Sequence, residues 1–131
     1  MYRAREKQMS IYDYLPPYHG ELCNANRWVR LAAAIDWEGF EKAYSALFAP
    51  GGKVALPARV ALGCRIIQLH YAASDREVVA LVQESPYLQY FLGFESFTDA
   101  VPFSSRTVAR FRARIPDKAV RPAVRLLRSF Q

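Results

Sequence analysis

Cysteine and histidine are both scarce, with two of each among 131 residues. Cys23 and Cys64 are too few for a disulfide framework, so a reduced, cytoplasmic protein is expected. His19 and Cys23 stand four apart, but His70 is the only other histidine, and no metal site is expected from so few ligands. No apolar run approaches the roughly 18 residues of a membrane span, and Arg59 and Arg65 interrupt the best stretch. The charged start, Met1 to Lys7, is not followed by the apolar core of a signal peptide. A membrane partner is therefore not expected. Repeats and low-complexity tracts are also missing. Acidic residues are rare in one place above all. Residues 101–131 carry Arg106, Arg110, Arg112, Arg114, Lys118, Arg121, Arg125 and Arg128 against Asp117 alone, a balance of +7. Residues 1–100 hold 10 Lys/Arg and 11 Asp/Glu, a balance of −1, so the whole excess of +6 lies in the last quarter. Such polarity points to a polyanionic partner.

What is present is enough apolar material for a core, 52% of the chain, within the length of one domain with arms. The densest stretch is Pro57 to Ala73. Val60, Cys64, Ile67 and Tyr71 form one row at helical spacing, and Leu62, Ile66, Leu69 and Ala73 a second. A helix with two apolar rows is buried on most of its circumference and should be the hub of the fold. Pro57 suits its first turn. Ser74-x-x-Glu77 is a capping box, so the next helix starts at Asp75 almost without a loop.

Around that hub the remaining signals are also helical. Residues 1–25 read as an arm, with Ile11, Tyr12, Tyr14, Leu15 and Tyr18 around the helix-breaking Pro16-Pro17. Asn26 is a helix cap ahead of Val29, Leu31, Ala32 and Ile35, and Asp36 another ahead of Trp37, Phe40, Tyr44, Leu47 and Phe48. Pro50-Gly51-Gly52 stops that second helix at Ala49. Val78, Val79, Leu81 and Val82 give a helix to Glu84, and Ser85-Pro86 opens a short one closed by Gly93. Phe94 to Pro102 reads as loop anchored by Phe94, Phe97 and Phe103. Ser104 or Ser105 caps a helix that stops at Pro116, and Asp117 to Phe130 forms a last basic helix whose stripe Pro122 interrupts. The expected class is all-α.

The helix from Ser105 to Ile115 carries the chemistry. Val108, Phe111 and Ile115 share one narrow sector, with Ala109, Ala113, Arg106 and Arg110 opposite and Arg112 and Arg114 on the flanks. Small residues let a backbone approach a duplex, central arginines reach guanine O6 and N7, and flanking ones meet phosphates. The N-terminal part of a recognition helix touches bases, which favours Arg106 and then Arg110. Ser105, Thr107, Lys118 and Arg121 complete the expected DNA-binding set. No acid between Arg106 and Ile115 compensates the four arginines at helical spacing.

Three pieces of the chain in this order, Pro57 with His70-Tyr71-Ala-Ala-Ser74-Asp75-Arg76-Glu77-Val78-Val79, Pro86-Tyr-Leu-Gln-Tyr90-Phe91-Leu92-Gly93-Phe94 and Val101-Pro102-Phe103-Ser104-Ser105-Arg106-Thr-Val-Ala-Arg110-Phe111-Arg112-Ala-Arg114-Ile115, resemble the N-terminal domain of bacterial insertion-sequence transposases. The nearest group is the insertion-sequence-five-like branch of the DDE transposases. Ile35-Asp36-Trp37 and Phe40 fit as well, so the resemblance covers roughly residues 26–116. It implies an all-helical domain that binds the element's double-stranded terminal inverted repeats, and within it the residues Ser74–Ile115 read as a helix-turn-helix-like unit. In the family this domain precedes an RNase H-like catalytic domain, whose two Asp and one Glu hold divalent metal.

The chain ends at Gln131, where such a catalytic domain would begin. Metal-assisted phosphoryl chemistry needs converging carboxylates, yet Asp36, Glu38, Asp75 and Glu77 are all explained by helix starts. Ser74 and His70 lack an acid orienter and an oxyanion motif, so a cap and a core-edge residue explain them better than a hydrolase does. The expectation is a non-enzymatic, nucleoid-associated DNA-binding domain with no cofactor and no small-molecule ligand. It is organised as an arm (1–25), a helical DNA-binding domain (26–116) and a basic C-terminal helix or linker (117–131). The alternatives are a stand-alone DNA-binding regulator derived from a truncated transposase, and an oligomerisation module. The latter would form a homodimer through Tyr12, Tyr14, Tyr18 and the Trp37–Phe48 helix.

Overall fold

A computed structural model describes residues 22–45 and 56–130. Among them all regular structure is helical: α1 (Arg27–Ala34), α2 (Trp37–Ser45), α3 (Ala58–Tyr71), α4 (Asp75–Glu84), α5 (Pro86–Phe91), α6 (Ser105–Arg114) and α7 (Asp117–Ser129). The all-α expectation is therefore met. The readings of the aromatic arm, His19, Leu47 and Phe48 fall outside the described residues.

The hub is α3. Every residue from Val60 to Gln68 is buried, and α2, α4, α6 and α7 all pack on it. The outer helices neighbour one another in the order α7, α1, α5, α4, α6, and the short α6–α7 junction closes the circuit. Gly63 allows a close crossing, since a Cβ there would meet Leu92 Cδ2 and force that side chain to shift. Tyr71, placed in a buried row from its spacing, is instead 39% exposed. It sits on the last turn of α3, where Arg27 and Trp28 of α1 touch its ring and hydroxyl without enclosing them. Val29, expected to be buried on α1, is only half-buried, and Trp28 takes its place in the core beside Leu31.

Helix ends follow the sequence closely. Asn26 Oδ1 accepts from Trp28 N at 2.8 Å, and Asp36 Oδ1 accepts from Gly39 N at 3.1 Å. The Ser74 box is complete, with Glu77 N donating to Ser74 Oγ at 3.1 Å and Ser74 N to Glu77 Oε1 at 2.7 Å. Ser85 Oγ accepts from Leu88 N, with Pro86 opening the helix. Two helices end in the same C-terminal motif. Ala73 N bonds Gln68 O at 3.0 Å across a left-handed Ala72, and Phe94 N bonds Gln89 O at 3.0 Å across Gly93 at φ 90°.

Three local expectations are corrected. Pro57 is the residue before α3 rather than part of its first turn, with ψ at 151°. Ser104 takes the cap position of α6, but its hydroxyl accepts no hydrogen bond from the helix. Pro122 does not interrupt α7. It lies on the exposed face above an exposed Lys118, so solvent can serve the carbonyl that loses its partner. The α5–α6 loop, residues 92–104, is fastened by Gln89, whose side chain is fully buried. Its Nε2 donates to Val82 O at 2.9 Å and Thr98 O at 2.6 Å, and its Oε1 accepts from Thr98 N at 2.9 Å. Phe103 anchors the loop from the core, whereas Phe97, expected to do the same, is 38% exposed.

Candidate nucleic-acid interface

The helix α6 is oriented as its wheel requires. Val108, Phe111 and Ile115 are buried against α3 and α4, which leaves Arg106, Arg110, Arg112, Ala113 and Arg114 exposed. Ser105, Thr107 and Ala109 are half-buried along the edges. Arg106 and Arg110 make no hydrogen bond or ion pair among the described residues, so their guanidiniums keep all five N–H donors for a ligand. Lys118 and Arg121 stand exposed on the first turns of α7. With Arg125 and Arg128 they follow i, i+3, i+7 and i+10, one exposed stripe of α7 flanking the buried Val120, Val124 and Leu127.

Two arginines of α6 are already engaged. Arg112 donates from Nε at 3.0 Å and from a terminal nitrogen at 2.8 Å to the two oxygens of Asp75, a bidentate pair linking α6 to the start of α4. The four arginines are therefore not wholly uncompensated. Their counter-charge comes from another helix, 37 residues away in sequence. Arg114 lies close enough to Tyr44 of α2 for its charge to oppose the rise that burial gives the Tyr44 hydroxyl's pKa.

Behind this face lies a polar network that sequence reading did not find. Arg65, only 2% exposed in the middle of α3, donates from Nε to Ile115 O at 2.8 Å and from a terminal nitrogen to Gln68 Oε1 at 2.7 Å. Its other terminal nitrogen pairs with Asp117 at the start of α7. Gln68 Nε2 continues the line to Asp75 Oδ1 at 2.8 Å. Asp117, Arg65, Gln68, Asp75 and Arg112 thus connect α7, α3, α4 and α6 along a groove of about 380 Å³. Arg65 also satisfies the carbonyl at the C-terminal end of α6 and so fixes that end of the basic helix. A clue did exist in the sequence: a charge between Cys64 and Ile66, on a helix apolar nearly all round, has to find a partner.

Asp75 gives this network a pH dependence. The hydrogen bond from Arg112 holds its carboxyl below the usual range, with the bond from Gln68 and the charges of Arg112 and Arg65 acting the same way. A carboxyl whose folded pKa lies below its unfolded value of about 3.9 stabilises the fold above that value. The contribution is lost as pH falls through the folded value. The urea midpoints of wild type and Asp75→Asn should therefore differ most near neutrality and converge as pH drops from about 4 towards 2. A constant gap over that range would remove Asp75 as the titrating link.

Ala72–Ser74 makes a tight turn between α3 and α4 beside this face. The exposed side chains of α4 include Glu77 and Glu84. The loop entering α6 is far longer than the 3–4 residues of a helix-turn-helix. Among the described residues α6 presents an exposed basic face, held on α3 and α4. Among the described residues no three His, Cys, Asp or Glu side chains gather where they could share a metal ion, and no helix is long and apolar enough to cross a membrane.

Comparison with known proteins adds an independent line. The family profile described as Transposase domain (DUF772) matches residues 11–114. A protein of Rhizobium meliloti, "Uncharacterized protein ORF8 in nfe locus", is 37% identical over 87 residues, which is 66% of this chain and 42% of that protein. The aligned stretch therefore spans less than half of the relative's length. No solved structure matches the chain.

Proposed function

The chain belongs to the Transposase domain (DUF772) family, and on that premise we propose that it docks a transposase onto the terminal inverted repeats of its insertion sequence. The parent enzyme on this reading is of the insertion-sequence-five-like, DDE type. Strand cleavage is the work of carboxylates in another part of the whole protein. The present chain contributes recognition. Arg106 and Arg110 read base edges in the major groove, with Ser105 and Thr107 at the start of α6 meeting phosphates. Lys118 and Arg121 hold the backbone beside the groove, and Arg114 flanks the helix. Arg112 reaches a phosphate by exchanging Asp75 for it, a swap of one charge-assisted pair for another at a solvated surface.

The observation that carries this proposal is the pairing of a buried apolar stripe on α6 with an outer face whose first two arginines are unengaged. A surface helix of no further use would balance such charges locally. Fluorescence anisotropy across a salt series tests it, with an inverted-repeat end compared with a scrambled duplex. Contact with about 5–7 phosphates gives a slope of log K against log salt of about −5 to −6. Arg106→Ala should remove about 1–3 kcal/mol of preference for the repeat, roughly 5- to 150-fold, and leave scrambled-duplex binding much less changed. Equal affinity of the wild type for both duplexes would defeat the sequence-reading part of the proposal. No binding to either would defeat all of it.

A further inference from the structure

A second group of cations gathers at the C-terminal end of α7, away from its junction with α6. Arg27 of α1 donates to the Tyr71 hydroxyl at 3.4 Å and lies 5.9 Å from the Trp28 ring centre. Arg128 of α7 donates to His70 O at 3.2 Å, and Arg30 stacks its guanidinium 4.2 Å from the Phe130 ring centre. His70 and Tyr71 are consecutive on the last turn of α3 and so draw Arg27 and Arg128 to one place, while Arg30 lies one turn from Arg27 on α1 and over Phe130, two residues after Arg128. No carboxylate among the described residues pairs with any of the three. The His70 imidazole senses the result: burial and then the charges of Arg27 and Arg128 hold it below its usual pKa. Its Nδ1 is buried without a hydrogen-bond partner.

The simplest structural account is that these arginines complement the C-terminal ends of α3 and α7, which meet here. Each helix end supplies about half a negative charge. Two ends offset about one of three positive charges, and a net of about +2 is left. The heads are also pre-organised, since ring and carbonyl contacts fix each guanidinium while leaving most of its donors unused. That lowers the entropy cost of gripping an anion. The stripe of Lys118, Arg121 and Arg125 leads along α7 from α6 to this group. Thirteen residues of α7 cover about 20 Å, or about six base pairs at 3.4 Å each.

We infer that Arg27, Arg30 and Arg128 form a second phosphate-binding surface, which grips the backbone of the same duplex beyond the reach of α6. The inference rests on the reading that the domain binds double-stranded DNA. It assigns α1 and the end of α7 a part in that binding, and the basic residues of α6, α7 and α1 become one track along which Asp75 and Asp117 are already paired with Arg112 and Arg65.

The test compares wild type, Arg27→Ala/Arg30→Ala and Arg27→Lys/Arg30→Lys for binding to a scrambled duplex of about 20 base pairs across a salt series. Each lost phosphate contact flattens the slope by about 0.9, so the double alanine variant should be shallower by about 1.8. The double lysine variant should stay close to wild type, and the preference for the repeat over the scrambled duplex should survive in both. In wild type the His70 ring resonances should shift when duplex is added. Should the alanine pair fail to fold, Arg30→Gln at an exposed position carries the same comparison with half the change. An unchanged slope, an equal loss in the lysine variant, or His70 resonances that move with polyglutamate and not with duplex would overturn this second surface while leaving α6 as the reader. Absence of wild-type binding would overturn both.

Discussion

Arg65→Ala should destabilise the domain by about 3–5 kcal/mol, the combined cost of a cavity at a packed side chain and of buried acceptors left without a donor. The substitution leaves Ile115 O and Gln68 Oε1 without their donor, and it removes the cation from a side chain packed at 2% exposure. For a domain of this size that is a fall of roughly 10–20 °C in melting temperature. The contrast between replacements identifies the cause. Arg65→Met fills most of the space and orphans the same acceptors, so it should cost about 1–3 kcal/mol. Asp117→Asn should cost least, because the Asp117 side chain is 50% exposed and water can replace part of the pairing. Calorimetry of the three variants should rank them in that order. If Asp117→Asn were as damaging as Arg65→Ala, the ion pair itself, and not satisfaction of the α6 end, would be what the network supplies.

The second large effect is expected at Phe91, which is wholly buried at the meeting of α1, α2 and α3. Its ring stands 4.9 Å from that of Trp28 and 5.4 Å from that of Trp37, edge-on to both. Removing it deletes two aromatic contacts and opens a cavity that the close crossing at Gly63 cannot collapse to fill. Phe91→Ala should cost about 3–5 kcal/mol, whereas Phe91→Leu, which keeps most of the volume, should cost about 1.5 kcal/mol or less. The bonds from Arg59 to Phe91 O and Tyr90 O are made to backbone and survive either change. Trp28 and Trp37 are the chain's two tryptophans, so intrinsic fluorescence should report the alanine variant's loosened packing before global unfolding. Unaltered emission with an unchanged urea midpoint would contradict the role given to this ring.

Much of this was readable from the chain because it depends on neighbours in sequence. Capping boxes, helix stops and apolar stripes are decided within one or two turns. Ser74 with Glu77, Asn26, Ser85 with Pro86 and the buried face of α6 accordingly came out as read. Where structure and sequence differ, the cause lies beyond the local chain. The local cost of Pro122 predicts an interruption, yet its place on the exposed face of α7 lets solvent meet the freed carbonyl. Period alone puts Tyr71 in the core, although burial at a helix end depends on what lies beside it. The local sequence leaves Arg112 unbalanced because Asp75, its counter-charge, is 37 residues distant.

The sequence by itself determined the all-α class, the hub helix and the polarity of charge that singles out α6. Each follows from period, composition or a cap. Tertiary structure alone decided which charges are available. It buried Arg65 as a tie between α3, α6 and α7, and spent Asp75 on Arg112. It left Arg106 and Arg110 unengaged and brought Arg27, Arg30 and Arg128 together from opposite ends of the chain. Helix formation answers to contacts a few residues away. The charge state of a surface answers to Coulomb interactions over several ångströms of space, and sequence distance does not record them.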